Sequence, residues 1–474
     1  MRKSTRTILA LTATISMTAA ACGSDSNDST GDTVTTEAMD ESMTTEAMDE
    51  SMTTEAMDES MTTEAMDESM TTEAMDETMT TEAMDESMTT EATDENTEEA
   101  DPAGFAVDDG ASSLRAALTS LLQEHVYLAG IAFETAVDAG GDLEEPATAA
   151  AVAALDENTV ALADAVGGIV GAEQGDAFLE LWRQHIGFFV DYTLGVATEN
   201  QEQIDTALTN LDGYQEAAGE FFSTNTGGAI DKAELIAGLD EHVATLTAAI
   251  DSIVAGNADA FDKLQAAAEH MKGAALLLSS GIVEALPEMF PGDTTSAPAE
   301  VRATLTYQLQ EHAYLAGIAI EQAIEAGGDL EAPAVQAAVT TLDGNSVALS
   351  ETVGSVAGDD NAAAFLELWR QHIGFFVDYT LGKATSDQAM VDEALANLDG
   401  YQEAAGEFFD SITNGEVAPD QLIPGLDEHV ATLTTAIDSL VAGDPAAFSQ
   451  LRTAGQHMPM AALLLATGIV AATS

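Results

Sequence analysis

The run AFLELWRQHIGFFVDYTLG, Ala177 to Gly195, recurs without a change as Ala364 to Gly382, 187 residues further on. Within it Phe178, Trp182, His185, Phe189 and Tyr192 follow one another at steps of four and three, the spacing that stacks side chains on one face of an α-helix. A histidine in the middle of such an aromatic face points inward. Two more blocks repeat at the same offset: NLDGYQEAAGEFF, Asn210 to Phe222, returns as Asn397 to Phe409, and Gly238 to Thr247 returns as Gly425 to Thr434. One offset for three blocks means that nothing was inserted or lost between them. The chain carries two copies of one unit.

Extending the same periodicity outward places six helices in the first copy, near 112–138, 146–170, 175–198, 201–223, 229–255 and 258–286, with glycine or polar breaks between them. Alternation of β-branched residues over a strand length is absent. An all-α fold is expected: two tandem six-helix antiparallel bundles, each of three helical hairpins. The copies span 112–287 and 299–474, and the Pro/Gly/Ser/Thr-rich stretch 288–298 links them.

The N-terminal part reads differently. Arg2, Lys3 and Arg6 precede an apolar run from Ile8 to Ala20, and Ala19-Ala20-Ala21-Cys22-Gly23 follows. This is a secretion signal over residues 1–21, too short to span a bilayer, and its end resembles a bacterial lipobox, with Ala19 where that motif prefers Leu. Cys22 is the only cysteine of the chain, which excludes an internal disulfide. It is expected to be lipidated and to hold the exported protein on the outer side of the bacterial cell membrane. From Thr35 the nonapeptide TTEAMDESM repeats, with copies starting at Thr44, Thr53, Thr62, Thr71 and Thr80. Acidic, rich in Met and Thr and with Phe105 as the only aromatic, residues 22–111 cannot bury a core and read as a disordered tether. Its root-mean-square reach is roughly 50 Å. Its Met and carboxylate pairs also suit weak Cu(I) binding, although a solvated spacer is the simpler reading. After this leader no segment reads as a membrane span; Ala274 to Val283 is better taken as a buried helix.

Asp and Glu number 84 against 12 Lys and Arg, for a formal net charge of -72. Nucleic-acid binding is excluded, because a phosphate backbone requires a basic surface. A self-repelling surface with affinity for cations is expected instead.

All eight histidines occupy repeated slots. Odd-numbered helices of the first copy carry His125, His185 and His242, and even-numbered ones carry Asn158, Tyr214 and His270. The second copy repeats the pattern with His312, His372 and His429, then Asn345, Tyr401 and His457. Leucines share the faces of His125 and His242, so these rings also point inward. A buried imidazole must either hydrogen-bond or bind something. One reading gathers three or four imidazoles of a copy, supported by Asp156 or Asp240 and by Tyr214 (Tyr401 in the second copy), around a metal ion. The pairs His270-Met271 and His457-Met458 add a soft donor, which favours copper ahead of zinc, iron or haem. The other reading keeps the histidines neutral and structural, paired with Glu, Asp, Tyr or backbone carbonyls. Glu124, Glu241 and Glu269 each directly precede a histidine, but adjacent helical residues point about 100° apart and cannot all face one centre. Glu269 becomes Gln456 in the second copy, which argues against an essential role for it. Arg183 and Arg370, beside the helix-three histidines, are expected to pair with carboxylates across helices. No Ser/His/Asp or Cys/His nucleophile set can be assembled.

The runs LLQEHVYLAG, FLELWRQHIGFFVDYT, NLDGY and EHM resemble a helical domain of secreted proteins from bacilli and related bacteria, often labelled copper amine oxidase-like. The resemblance covers both copies and not the tether, and FLELWRQHIGFFVDYT is its most specific part. The family has no established activity. Its label implies a quinone cofactor built from the Tyr of an Asn-Tyr pair, and this chain contains no Asn-Tyr. The expectation is a cell-surface lipoprotein that binds a transition metal through inward histidines. The alternative is a non-catalytic envelope or interaction module, and a metal-dependent oxidoreductase comes third.

Overall fold

The computed structural model describes residues 106–473, so the leader, Cys22 and nearly all of the 22–111 stretch lie outside the described residues. The described residues form twelve α-helices and no strand. In the first copy these are α1 (Gly110–Asp138), α2 (Pro146–Val170), α3 (Ala172–Ala197), α4 (Gln201–Asn225), α5 (Lys232–Ala255) and α6 (Ala260–Ala285). The second copy gives α7 (Ala297–Glu325), α8 (Pro333–Ala357), α9 (Asp359–Thr385), α10 (Gln388–Ile412), α11 (Pro419–Ala442) and α12 (Ala447–Thr473).

Local chemistry sets the ends of these helices. Asp109, Asn200, Asp231 and Asp387 sit at N-caps, where their side-chain oxygens accept bonds from free N–H groups of the first turn. Gly256 and Gly443 end α5 and α11 in the left-handed conformation, at φ 63° and 65°, which glycine adopts without a Cβ penalty.

Successive helices pack side by side, and α6 returns to α1 as α12 returns to α7. The odd helices α1, α3 and α5 also touch one another, and so do α7, α9 and α11. Each copy thus has an inner triangle of odd helices, the ones that carry the histidines. Close approach of α1 to α6 depends on Gly130, where a Cβ would lie 2.6 Å from both Leu264 methyl groups. Gly317 and Leu451 repeat the arrangement in the second copy, at 2.5 and 2.6 Å.

The two copies are packed on each other. α1 lies against α7, α12 against α2, and α6 against α8. One cluster of buried apolar residues runs from Leu114 in α1 to Ala454 in α12, and a second, with Trp369, Phe365 and Met458, lies mainly in the second copy. The connection between copies is docked as well. The Ala111 amide donates to the Pro291 carbonyl at 3.0 Å, and Arg115 donates to the Thr294 carbonyl at 2.8 Å. Contrary to the reading of the sequence, one helix after the leader, α12, is long and apolar enough to cross a membrane. Half of its most apolar window is buried inside the protein, and it packs on α7 and α11, as the core helix of a helical assembly does.

Candidate metal centre

Two groups of three histidines converge, one in each copy: His125, His185 and His242 from α1, α3 and α5, and His312, His372 and His429 from α7, α9 and α11. In each group one donor nitrogen per ring lies within 4.8 Å of the other two. The Nε2 atoms of His312 and His372 are 3.3 Å apart. Ligands at roughly 2.0–2.1 Å from a tetrahedral ion stand about 3.3–3.4 Å from each other, so this pair already has the separation of two ligands of one ion. Gathering even a pair at that 4.8 Å limit would take a shift of no more than about 0.7 Å per ring on the same arithmetic.

Helical register explains the convergence. Each histidine lies on the buried stripe of an inner-triangle helix, at a matching level. His125, His185, His312 and His372 are each 1% exposed, His242 5% and His429 7%. Aromatic rings hold them in place. Trp182 meets the His185 ring edge-on at 4.5 Å and the His125 ring at 4.9 Å, and Tyr214 stacks on His185 at 4.6 Å. Trp369 and Tyr401 do the same in the second copy.

The rings are short of hydrogen-bond partners. Neither nitrogen of His125 has one, nor do the Nδ1 atoms of His242, His312 and His429, while the backbone of Trp182 and Trp369 meets His185 and His372. The indole N–H groups of Trp182 and Trp369 are likewise unpartnered. Loss of solvation in this setting pushes His125 and His312 down to about 3, and His242 and His429 down to about 4. Burial, with the neighbouring histidines, takes His185 and His372 well below the usual histidine range. At neutral pH the imidazoles are therefore neutral and their lone pairs are available, the form in which histidine ligates a metal.

His270 and His457 stand outside these groups. Their Nε2 atoms bond the carbonyls of Gly238 and Gly425 at 2.8 Å, and Glu241 and Glu428 lie 3.6 and 3.3 Å from their Nδ1 atoms. Even helices flank the inner triangle, so a matching level along the axis does not bring their side chains to its centre. Asp156 does not join the cluster either. Arg183 holds it in a two-bond pair at 2.7 Å, and Arg370 holds Asp343 in the same way. Asp240 is exposed. Tyr214 and Tyr401 belong to the site as stacked rings. Met271 and Met458 are buried, and Met271 lines the cavity beside the first triad.

The aromatic collar of Trp182 and Trp369 around the nitrogens was not assigned from the sequence; the steps 178, 182, 185 and 189 on one face were its signal. The cavity left no sequence signal at all. It has a volume of about 250 Å³ and is walled by residues of all six helices of the first copy, including His125, His185 and His242. No family model, curated protein or solved structure matches this chain.

Proposed function

We propose that each copy binds one transition-metal ion through its three odd-helix histidines, in a lipoprotein that Cys22 holds on the outside of the cell membrane. The observation that carries the metal is the convergence of three neutral, buried imidazoles, one donor nitrogen from each lying within 4.8 Å of the other two. An ion would be held by one lone pair from each of the three rings, the form in which neutral imidazole ligates a metal. All-imidazole sets suit copper, zinc, iron and nickel, and copper(II) stands highest among divalent ions in general affinity; copper is the favoured occupant. A purely structural role fits His270 and His457, whose nitrogens face a carbonyl and a carboxylate, better than it fits the triads. Binding is favoured over catalysis, because no Ser/His/Asp or Cys/His nucleophile set stands beside either triad among the described residues.

The test is metal content after equilibrium dialysis against copper(II), with zinc(II) in competition. Two equivalents per chain are expected for the unaltered protein and none at these sites for the double variant His185→Ala, His372→Ala. Retention of both equivalents by that variant, while it stays folded, would remove the proposal. The anchor rests on the leader and the lipobox-like residues. A Cys22→Ser chain is expected to leave the membrane fraction, and one that remains membrane-bound would argue against lipidation.

A further inference from the structure

The cavity of the first copy has no role in binding an ion alone. Protein interiors rarely leave voids much larger than a water molecule, and this one measures about 250 Å³. An apolar cavity of roughly 150 Å³ accepts benzene; in proportion, this one suits about ten carbon atoms. Its wall includes Leu118, Leu122, Leu162, Phe178, Leu235 and Leu278, with the triad at one side. A buried water needs two to four polar partners, and the leucine and phenylalanine stretch offers none. The buried polar atoms without a hydrogen-bond partner in this wall stand at the triad: both nitrogens of His125, Nδ1 of His242 and the indole N–H of Trp182. Glu234 and Gly273 also line the cavity and are exposed, so its wall reaches the surface there.

We propose that this cavity binds a neutral, apolar small molecule of about ten non-hydrogen atoms, with its one polar end turned to the histidine triad. Neutrality follows from the wall, whose only carboxylate, Glu234, stands at the exposed rim and leaves a charge in the apolar part without a counterion. Size follows from the volume. Only the direct meeting of the polar end with an ion rests on the metal reading; occupancy of the apolar part does not.

Gly238 supplies the means of testing this. It shares a helix face with Leu235 and His242, it lines the cavity, and a Cβ built on it meets nothing within 4 Å. Gly238→Leu should fill the space, and Ala274→Leu, from the α6 side of the wall, is the second blocking variant. The probe is naphthalene, which has ten carbons and no donor atom, offered to chelator-treated protein. Saturable binding of at least one equivalent per chain is expected, with nuclear Overhauser contacts from naphthalene to a tryptophan indole. Each folded variant should lose one equivalent. 1-Naphthol should bind about fivefold more tightly than naphthalene, the worth of one buried hydrogen bond. Failure of the wild type to bind saturably, binding with no tryptophan contact, or undiminished binding in the folded variants would overturn the proposal; weaker binding of 1-naphthol would overturn the placement of the polar end. Naphthalene cannot ligate a metal, so its capture by a protein that takes no copper would sink the metal reading alone, and the reverse result would sink this one alone.

Discussion

His125 separates a ligand from a structural histidine. It is 1% exposed with no partner for either ring nitrogen, whereas His270 gives Nε2 to a carbonyl at 2.8 Å. A structural histidine stabilises through its bonds, and removing it costs about 1–3 kcal/mol. His125 has none to lose. In the metal-free protein His125→Leu should therefore raise stability by about 1 kcal/mol at pH 7, the relief of an unpaired buried polar group by a side chain of similar bulk. The gain should grow in acid. Burial sets the folded pKa of His125 at about 3 against an ordinary value of 6.5, so below pH 6.5 the unfolded chain takes up a proton that the folded one refuses, and wild-type stability falls with pH. Leucine lacks this dependence, and its advantage should widen by about 2 kcal/mol between pH 7 and pH 5, at about 1.4 kcal/mol per unit. Urea midpoints at the two pH values, with chelator present, read both effects. A loss of 2 kcal/mol or more at pH 7 would mark His125 as structural.

At the level of the helix, periodicity carried most of what could be read in advance. The ends of α2 at 146 and 170 and the start of α4 at 201 stand where the spacing puts them. Where the reading slipped, a cap decided. α5 starts at Lys232 and not near 229, because Asp231 accepts the amides of Ala233 and Glu234. The inner triad was legible too, since three histidines on odd helices near a 57-residue spacing imply one level in three equivalent hairpins. Spacing along the axis does not say which helices line the centre, and so His270 looked like a fourth donor. α1 shows the limit of stripe reading most clearly. Six successive residues, Gln123 to Leu128, are buried, so the helix is enclosed on every side. Periodicity finds the one apolar stripe that meets the hairpins of its own copy; it has no means of finding Gln123 and Glu124, polar residues buried against the other copy.

That second face sets how the molecule holds together, and it shows how the duplicated halves diverged. Glu124 and Glu311 occupy equivalent places directly before a triad histidine and are 0% and 2% exposed. Glu311 accepts bonds from the hydroxyls of Tyr127 and Tyr307 at 2.9 and 2.6 Å and from the Asn345 amide at 2.7 Å. The first copy has Ser120 where the second has Tyr307, and Glu124 is met instead by Arg452 from α12, at the position that Gln265 holds in α6. Burial raises Glu124 to about 6 even against the pull of Arg452. Arg452→Met leaves that desolvation unopposed, and breaking a buried pair from one side costs about 3–5 kcal/mol. The loss has a direction in pH. A carboxyl whose folded pKa lies above its ordinary 4.5 binds its proton more readily folded than unfolded, so the stability it allows is complete below 4.5 and is lost as pH rises through the folded value. The variant should be weakened by about 3 kcal/mol or more at pH 8 and by much less at pH 5, and adding Glu124→Gln should restore most of the difference at pH 8, since a neutral amide suffers a smaller burial cost. The pair joins α1 of one copy to α12 of the other, and one apolar cluster draws residues from both, so both copies should melt in one transition whose midpoint carries the whole effect. Urea denaturation followed by circular dichroism at pH 5 and pH 8 decides it; a loss of the same size at both pH values would mean that Glu124 is not the group Arg452 sustains.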